Sequence, residues 1–348
     1  MPKKIVFCAD GTWNHPQDST GLAAKNTNVV KLYHLAQQSP TQTTLYDDGV
    51  GADDLKLLGG AFAVGLFHKV KDGYRQIAAN YSPGDTLYLF GFSRGAYTAR
   101  SLAGMISHCG LPTRGDPKDA ADKAFDYYEN ILLRGQLKQT LDPFAMDSPQ
   151  IAMQGMWDTV GALGISGPLL GIKDPAVYGF LDTDLHDDTA SAYHALAIDE
   201  RRGEFRPTLW TRSGRPDQIL KQVWFTGVHS EVGGGSAEVG LSNITLSWML
   251  KMAASRGMEL TPAAAEYLTV DPKHALDTIK DSWSLLWAFP VRRSIPDGST
   301  IANSVAIRVA EEASYRPPML RVDAGGALAM GYSIESVVAE PGQAAVAP

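Results

Sequence analysis

The chain has little cysteine and lacks any long apolar run. Its 348 residues include only Cys8 and Cys109, which form neither a CxxC pair nor a disulfide framework, so a disulfide scaffold or a structural zinc site is not expected. The longest apolar stretch, Leu57–Phe67, contains three glycines and is shorter than the about 20 residues of a membrane-spanning helix. The run Ile5–Ala9 is too short for a signal peptide. We therefore expect a cytoplasmic chain, with export possible by a route that needs no signal.

The chain also lacks an excess of positive charge. Its 31 Lys and Arg residues stand against 38 Asp and Glu residues, which gives a net charge of -7. This balance argues against nucleic acid as a partner, and against any general attraction to anionic lipid. A hydrophobic content of 44% supports a sizeable core, and no repeat of 20 to 50 residues is present. These values indicate a folded, non-repetitive chain.

Short apolar runs that end in polar or glycine residues alternate with longer runs of helical period. This alternation is typical of βα units, which build a mostly parallel sheet flanked by helices. Ligands gather outside the carboxyl ends of such strands, so we expect the functional site there. The predicted strands are Lys4–Ala9, Thr43–Tyr46, Thr86–Gly91, Ile151–Trp157 and Gln222–Gly227. The predicted helices are Asn28–Gln38, Phe62–Tyr81, Arg94–His108, Asp116–Gln136 and Ser242–Ser255.

The domain organisation predicted from this pattern is a single α/β domain over residues 1–335. Two irregular stretches, 112–148 and 271–300, are predicted to be insertions of helices and loops. The remaining residues, 336–348, are rich in alanine and proline and are predicted to be disordered.

The segment Gly91–Gly95 has the pattern G-x-S-x-G between a predicted strand and a predicted helix. In that context the two glycines allow a tight strand-to-helix turn, which holds the serine strained with its Oγ exposed. Ser93 is therefore a candidate nucleophile, and the Arg94 N–H at the helix start is a candidate donor to a developing oxyanion. The alternative is an ordinary turn.

A serine nucleophile needs a histidine base and an acid, which follow it in the order Ser, Asp or Glu, His in this kind of fold. His229 is the histidine that directly follows a strongly apolar predicted strand, although a core or capping histidine remains the alternative. Asp158 follows another strand and is the candidate acid, unless it only caps its own turn. Asp199, within a predicted helical run Ala197–Arg202, is the substitute, although its charged neighbours suggest a surface ion-pair network.

The second oxyanion donor is expected from the loop after a neighbouring strand. Gly11 and Thr12 follow the strand Lys4–Ala9 and are the candidates, since Gly11 permits a close approach of the backbone. The alternative is a tight turn in which the side chain of Asp10 bonds its own backbone. Both interpretations stay open.

Five motifs occur in one order along the chain and together resemble a known family. They are Phe7–Asn14, Tyr46–Gly51, Gly91–Ala96, Trp157–Gly161 and Val228–Gly235. The set, over about residues 3 to 320, resembles the uncharacterised α/β-hydrolase domain family that includes the lipase effectors of bacterial type VI secretion. The resemblance implies an α/β-hydrolase fold and a phospholipase triad on Ser93, Asp158 and His229. Two positions depart from the family pattern, Glu231 in place of Asp and Asn303 in place of His.

The function expected from the residues and the resemblance is serine hydrolysis of carboxylic esters, in phospholipids or other lipids, through an acyl-enzyme. The alternatives are a small-ester or thioester hydrolase and a non-catalytic binding protein on the same fold. Leu57–Phe67, Leu163–Leu170 and Trp283–Val291, the last flanked by Arg292 and Arg293, are candidates for contact with a membrane interface, unless they are packed core loops. We expect no cofactor and no metal, with the acidic run Asp47–Asp54 taken as a solvated turn; an immunity or secretion partner stays unidentified.

Overall fold

One parallel sheet organises the molecule. The computed structural model describes residues 2–11, 17–18, 20–49, 60–130, 133–160, 184–211, 215–283, 290–323 and 327–339. Within these residues eight strands pair in the order β2-β1-β3-β4-β5-β6-β7-β8, and every pairing is parallel. The strands are β1 (Lys4–Ala9), β2 (Gln42–Asp47), β3 (Thr86–Phe92), β4 (Gln150–Trp157), β5 (Ser191–Ala197), β6 (Ile219–Phe225), β7 (Thr300–Ala302) and β8 (Ser333–Glu335). The predicted α/β fold, a mostly parallel sheet flanked by helices, is confirmed.

Helices cover both faces of the sheet, as a parallel sheet requires. Alternate residues of β1 enter two separate cores: Val6 and Cys8 pack on one side, and Ile5 and Phe7 on the other. The helices are α1 (Asn28–Leu35), α2 (Gly60–Asn80), α3 (Arg94–Cys109), α4 (Pro117–Glu129), α5 (Arg134–Leu137), α6 (His229–Gly233), α7 (Gly240–Ser255), α8 (Ala265–Leu268) and α9 (Asn303–Glu311). Helices α1, α7 and α9 cover the first core, and α2, α3 and α4 cover the second. Among the described residues, no helix combines the length and the apolar character needed to cross a membrane.

The strand order places a topological switch point between β1 and β3. Strand β1 pairs with β2 on one side and with β3 on the other, so the connections from β1 to β2 and from β2 to β3 run to opposite edges. In parallel α/β sheets the crevice at such a point, outside the carboxyl ends of the strands, is where ligands bind. Asp10 follows β1 and Ser93 follows β3, so both lie at this crevice.

The prediction for the segment around residue 197 was wrong. Ala197 ends strand β5, whose seven residues are all buried, and the run that follows is not an α-helix. Its neighbours β4 and β6 cover both edges of β5, so this strand is the apolar centre of the sheet. The charged residues that suggested a helix lie beyond its carboxyl end. His194 lies within the same strand.

The predicted insertion 112–148 contains helices α4 and α5 and a 3-10 helix, Lys138–Phe144. In the predicted insertion 271–300, the described part includes a 3-10 helix, Pro272–Leu276, and the start of β7. The disorder predicted from residue 336 is wrong for its first residues, because Val337 and Val338 are buried against the sheet. Residues 340–348 lie outside the described residues.

Candidate active site

The turn between β3 and α3 holds Ser93 in a strained conformation. Ser93 has φ 58° and ψ −122°, a region that residues with a side chain rarely occupy. The turn is fixed from β4, because the Ser93 N–H donates to the Trp157 carbonyl at 3.0 Å. Ser93 is largely buried, with 7% of its surface exposed. Strain of this kind persists where the surroundings enforce it, and it concentrates at functional sites.

The two glycines of the G-x-S-x-G motif are required by close packing of the turn. A Cβ on Gly91 would lie 2.6 Å from the Ala96 nitrogen and Cα. A Cβ on Gly95 would lie 2.6 Å from the Ala9 carbonyl carbon and closer still to the Ala9 and Asp10 oxygens. The turn that holds Ser93 (the nucleophile turn) therefore lies directly against the end of β1. This contact sets the distance between the turn and the residues at Asp10.

His229 begins helix α6, shortly after β6 ends, and its ring lies beside the serine turn. Its Nδ1 is 2.6 Å from Asp158 Oδ2, so an Nδ1–H donates to the carboxylate and Nε2 is left at the opposite end of the ring. The imidazole packs between two aromatic rings, with centroids 4.6 Å from Phe92 and 4.8 Å from Phe205. Because Phe92 directly precedes Ser93, this stacking brings the histidine to the nucleophile turn.

Asp158 directly follows β4, has φ 42° and is fully buried. Besides the bond to His229, its Oδ1 accepts from the Ala197 N–H at 3.0 Å. The guanidinium of Arg293 donates to both oxygens, at 2.6 Å to Oδ1 and 2.8 Å to Oδ2. Burial alone would raise the pKa of Asp158, but the charge of Arg293 and the bond to His229 hold it well below its usual range. Asp158 is therefore ionised at neutral pH.

The histidine is neutral at neutral pH for an electrostatic reason. Burial lowers the pKa of His229, and the bond and charge of Asp158 oppose this shift without cancelling it. A neutral imidazole with Nδ1–H directed to a carboxylate has a lone pair at Nε2, which is the form that can accept a proton. The pair has the protonation and the orientation of a general base and its supporting acid.

The substitute acid, Asp199, does not contact His229. Its Oδ2 accepts from the Gly227 N–H at 2.7 Å, and Tyr315 Oη donates to the same carboxylate at 3.0 Å. Burial raises the pKa of Asp199 to about 6, although these hydrogen bonds oppose it. Its predicted alternative role in a surface ion-pair network also fails, because its bonding partners are a backbone amide and a tyrosine. The structure therefore brings His229 to Asp158 and not to Asp199.

The oxyanion candidates lie on the two sides of the crevice. Arg94 is the first residue of α3 and therefore lies at the positive end of the helix dipole. The Gly11 N–H donates to Asp10 Oδ1 at 2.7 Å, which corresponds to the tight-turn alternative of the sequence analysis. The other Asp10 oxygen accepts from Thr27 and Tyr46, so its carboxylate is anchored on both sides. Thr12 lies outside the described residues.

Two buried charged residues at the site were missed by the sequence analysis. Arg293 was noted only as a basic neighbour of an apolar segment, yet only 6% of it is exposed and it clamps Asp158. Glu200 is fully buried; it accepts from the His229 N–H at 3.2 Å and pairs with Arg202 at 2.8 Å. Burial would raise the pKa of Glu200, but Arg202 lowers it to about 2. The adjacent arginines 292 and 293 are visible in the sequence, but no local pattern indicates these contacts.

The two departures from the family pattern have local structural roles. Glu231 accepts from the Val228 N–H at 3.0 Å and from the Lys280 N–H at 2.8 Å, which fixes the start of the short helix that carries His229. Asn303 accepts from the Val337 N–H at 2.9 Å and donates to the Val338 carbonyl at 2.8 Å. Neither side chain contacts Ser93, Asp158 or the His229 imidazole in these bonds.

The other sequence candidates lie away from the triad or outside the described residues. Asp47 is buried and pairs with Lys69 at 2.9 Å, so the solvated-turn prediction is wrong for this residue. No cluster of metal-ligating side chains occurs in the part of the chain that the structure describes. Leu66 is buried within α2, which makes the end of Leu57–Phe67 part of the core. Leu163–Leu170 and residues 284–289 are not among the described residues.

Comparisons with known proteins extend this picture. Residues 3–252 match the family model described as the type VI secretion phospholipase effector Tle1-like catalytic domain. The uncharacterized protein YEL023C of Saccharomyces cerevisiae is 30% identical over 243 residues, which cover 60% of this chain and 33% of that protein. The crystal structure of an uncharacterized protein from Pseudomonas aeruginosa gives a TM-score of 0.48 at 17% identity, covering 79% of this chain and 50% of that one. A Tle1 effector bound to the VgrG spike gives 0.40 at 20% identity, covering 67% and 51%. The chain spans about half the length of the two solved structures and a third of the length of the yeast protein.

Proposed function

Because the chain belongs to the family of Tle1-like catalytic domains of type VI secretion phospholipase effectors, we propose that it hydrolyses carboxylic ester bonds of phospholipids through Ser93. The observation that carries the proposal is the 2.6 Å bond from His229 Nδ1 to the buried carboxylate of Asp158, beside a serine held at φ 58°. A serine, a neutral histidine and an ionised aspartate in this order have the chemistry of an acyl-transfer triad.

In the proposed reaction, Ser93 Oγ attacks the acyl carbonyl carbon while its proton passes to His229 Nε2. The carbonyl oxygen becomes an oxyanion, which the Arg94 N–H and the positive end of α3 stabilise. The tetrahedral intermediate then expels the alkoxide of the lipid, which takes the proton from the imidazolium and leaves as an alcohol. An acyl ester on Ser93 remains. Water, deprotonated by the same imidazole, hydrolyses that ester and releases the fatty acid.

Asp158 supports both steps without accepting the proton itself. It keeps the imidazole in the Nδ1–H tautomer, and it stabilises the imidazolium that forms after proton transfer. Its low pKa means that it stays ionised through the pH range in which histidine titrates.

The substrate class rests on the family description. Neutral lipids, small esters and thioesters react by the same steps, so the triad alone does not separate them. Export by a route without a signal peptide also belongs to the proposal on the strength of the family alone.

A fluorophosphonate probe followed by intact-mass analysis tests the nucleophile without knowledge of the substrate. We expect one label on the wild type and none on Ser93→Ala. Ser101→Ala is the matched control, because Ser101 is a fully buried serine farther along α3. That variant should label like the wild type.

Phospholipid vesicles, triglyceride emulsions, a short-chain ester and an acyl thioester, tested in parallel, then assign the substrate. Preferential release of fatty acid from phospholipid vesicles supports the proposal, with loss of turnover by several orders of magnitude in Ser93→Ala or His229→Ala. A folded wild type that remains unlabelled, even with detergent present, would favour the non-catalytic binding protein. Faster turnover of the short ester or the thioester would replace the phospholipid as the substrate.

A further inference from the structure

Arg293 occupies an unusual position for a charged residue. It comes from the segment that precedes β7, yet only 6% of its surface is exposed. Its guanidinium faces Asp158 as a fork, with one nitrogen on each carboxylate oxygen at 2.6 and 2.8 Å. A planar fork on a carboxylate fixes the orientation of both groups, which a single point contact does not.

The same guanidinium fastens the surroundings of the triad. One nitrogen donates to the Ala197 carbonyl at 2.7 Å and the other to the Phe205 carbonyl at 2.6 Å. Ala197 also donates its N–H to Asp158 Oδ1, and the Phe205 ring packs edge-on against the His229 imidazole, with an interplanar angle of 77°. Arg293 therefore connects Asp158 with the end of β5 and with Phe205, whose ring packs against His229.

The carboxylate is saturated by these contacts. Oδ1 accepts from Ala197 and Arg293, and Oδ2 accepts from His229 and Arg293. Without the guanidinium, a fully buried carboxylate would keep one backbone donor and one imidazole donor, and it would be free to rotate away from His229. Removing one partner of a buried ion pair leaves an uncompensated charge, and a small misplacement of a catalytic group lowers the rate steeply.

We propose that Arg293 is a positioning residue of this hydrolase, which holds Asp158 with its Oδ2 directed at His229 Nδ1. The inference rests on the proposed function, because it assigns a role in the same reaction. Arg293 acts through its bonds to Asp158 and to the Ala197 and Phe205 carbonyls and through its charge, and the described contacts do not bring it to Ser93.

Arg293 also sets the charge balance that the base experiences. The charged groups that influence His229 are Asp158, Arg293 and Glu200, and Glu200 is itself paired with Arg202. The Nε2 of His194 accepts from the N–H of Thr159, the residue after Asp158, at 3.0 Å. His194 stays neutral, because burial lowers its pKa to about 3. The positive charge of Arg293 disfavours protonation of His229, whereas the bond and the charge of Asp158, which the fork holds in place, favour it.

The test compares Arg293→Met, which removes charge and fork, with Arg293→Lys, which keeps the charge and loses the fork. Arg308→Met is the matched control, because Arg308 is also buried and donates to two backbone carbonyls, those of Ala275 and Asp277. The readout is the rate of fluorophosphonate labelling at Ser93 between about pH 5 and pH 8, where histidine titrates. Thermal unfolding monitors the fold of each variant.

We expect Arg293→Met to label about 10²-fold more slowly, as for misplacement of a catalytic group by about 1 Å. Arg293→Lys should label slowly as well, with the acidic limb of its pH–rate profile at lower pH than in the wild type, because it loses the bond to Asp158 that raises the pKa of His229. The acidic limb of Arg293→Met should lie at higher pH than that of Arg293→Lys, because methionine also removes the positive charge that lowers this pKa. Arg308→Met should lose stability but keep both the rate and the limb.

A folded Arg293→Met variant that labels at the wild-type rate, with an unmoved limb, would overturn the inference. Should Arg293→Met fail to fold, Arg293→Lys decides instead, since wild-type labelling there would show that the fork is dispensable. If the wild type does not label at all, the proposed function fails separately, and the low-field NMR signal of the His229 Nδ1–H proton still tests the clamp. That signal should be lost without the fork and kept in Arg308→Met; its persistence without the fork would refute the clamp.

Discussion

Substituting Gly95 by alanine should separate the nucleophile turn from β1, and the size of the effect follows from the packing. The added Cβ would lie 2.6 Å from the Ala9 carbonyl carbon and nearer still to two backbone oxygens, whereas real Cβ atoms essentially never come within 3.0 Å of a neighbour. The obstructing atoms are backbone, so no side chain can rotate away. The turn would have to retreat from β1 by roughly 1 Å.

Two measurable costs follow from that retreat. Overpacking of a closely packed region lowers the free energy of unfolding by about 1 to 3 kcal/mol. Misplacement of a nucleophile by about 1 Å lowers the rate by about 10²-fold. We expect Gly95→Ala to show both effects, measured by urea unfolding and by the rate of fluorophosphonate labelling.

Gly135→Ala is the control, because a Cβ at Gly135 meets nothing within 4 Å. Gly135 lies in the short helix α5, where alanine is favoured over glycine by about 0.5 to 1 kcal/mol, so this variant should be as stable as the wild type or more so. Wild-type stability and labelling in Gly95→Ala would show that the turn does not depend on contact with β1.

Three further predictions concern two buried charged groups and the segment that follows β8. Burial raises the pKa of Asp199 to about 6, so the wild type loses stability as pH rises through that value. The free energy of unfolding of Asp199→Asn, relative to that of the wild type, should therefore improve by about 1 kcal/mol between about pH 5 and pH 8. A constant difference in urea unfolding would contradict this. Burial lowers the pKa of Lys31 to about 8, so Lys31→Met should raise the free energy of unfolding by up to about 3 kcal/mol at about pH 7. The gain should be smaller at about pH 9, because the wild-type lysine has lost its proton there. Equal gains at both pH values would count against this prediction. Asn303→Ala leaves the amides of Val337 and Val338 without their acceptor, so it should lower the free energy of unfolding by about 2 to 3 kcal/mol, measured by thermal unfolding. Labelling of Ser93 should stay normal. Loss of labelling in folded protein would give Asn303 a role in the reaction.

The strands that the sequence predicted share one property, an apolar run that ends abruptly in turn residues. Strand β5 has such a run too, but charged residues follow it directly, and their spacing resembles the polar face of a helix. Strands β7 and β8 have three residues each, which is too short for any period to appear. Local pattern thus identified the five strands with polar or glycine-containing ends and missed the others.

The site residues also divide into those that a local sequence pattern predicts and one that no such pattern predicts. Ser93 has a motif, and Asp158 and His229 each follow a recognisable strand, so all three are predicted from the sequence, and the structure brings His229 to Asp158. Arg293 contacts Asp158 from 135 residues further along the chain. Nothing in its own neighbourhood indicates this contact, because it joins residues far apart in sequence through tertiary packing. Interactions set by tertiary packing have no local signature, and this explains why the clamp appeared only in three dimensions.

The parallel arrangement of every strand has a consequence for the order in which the molecule is assembled during synthesis. Parallel neighbours cannot be joined by hairpins, so each pairing waits for a crossover connection to emerge and fold. The strand and helix around Ser93 leave the ribosome long before His229, and Arg293 leaves later still. A nascent chain carrying the serine turn therefore lacks its base and the clamp on its acid. The proposed ester hydrolysis would therefore become possible only once Arg293 has been made, after six of the eight described strands.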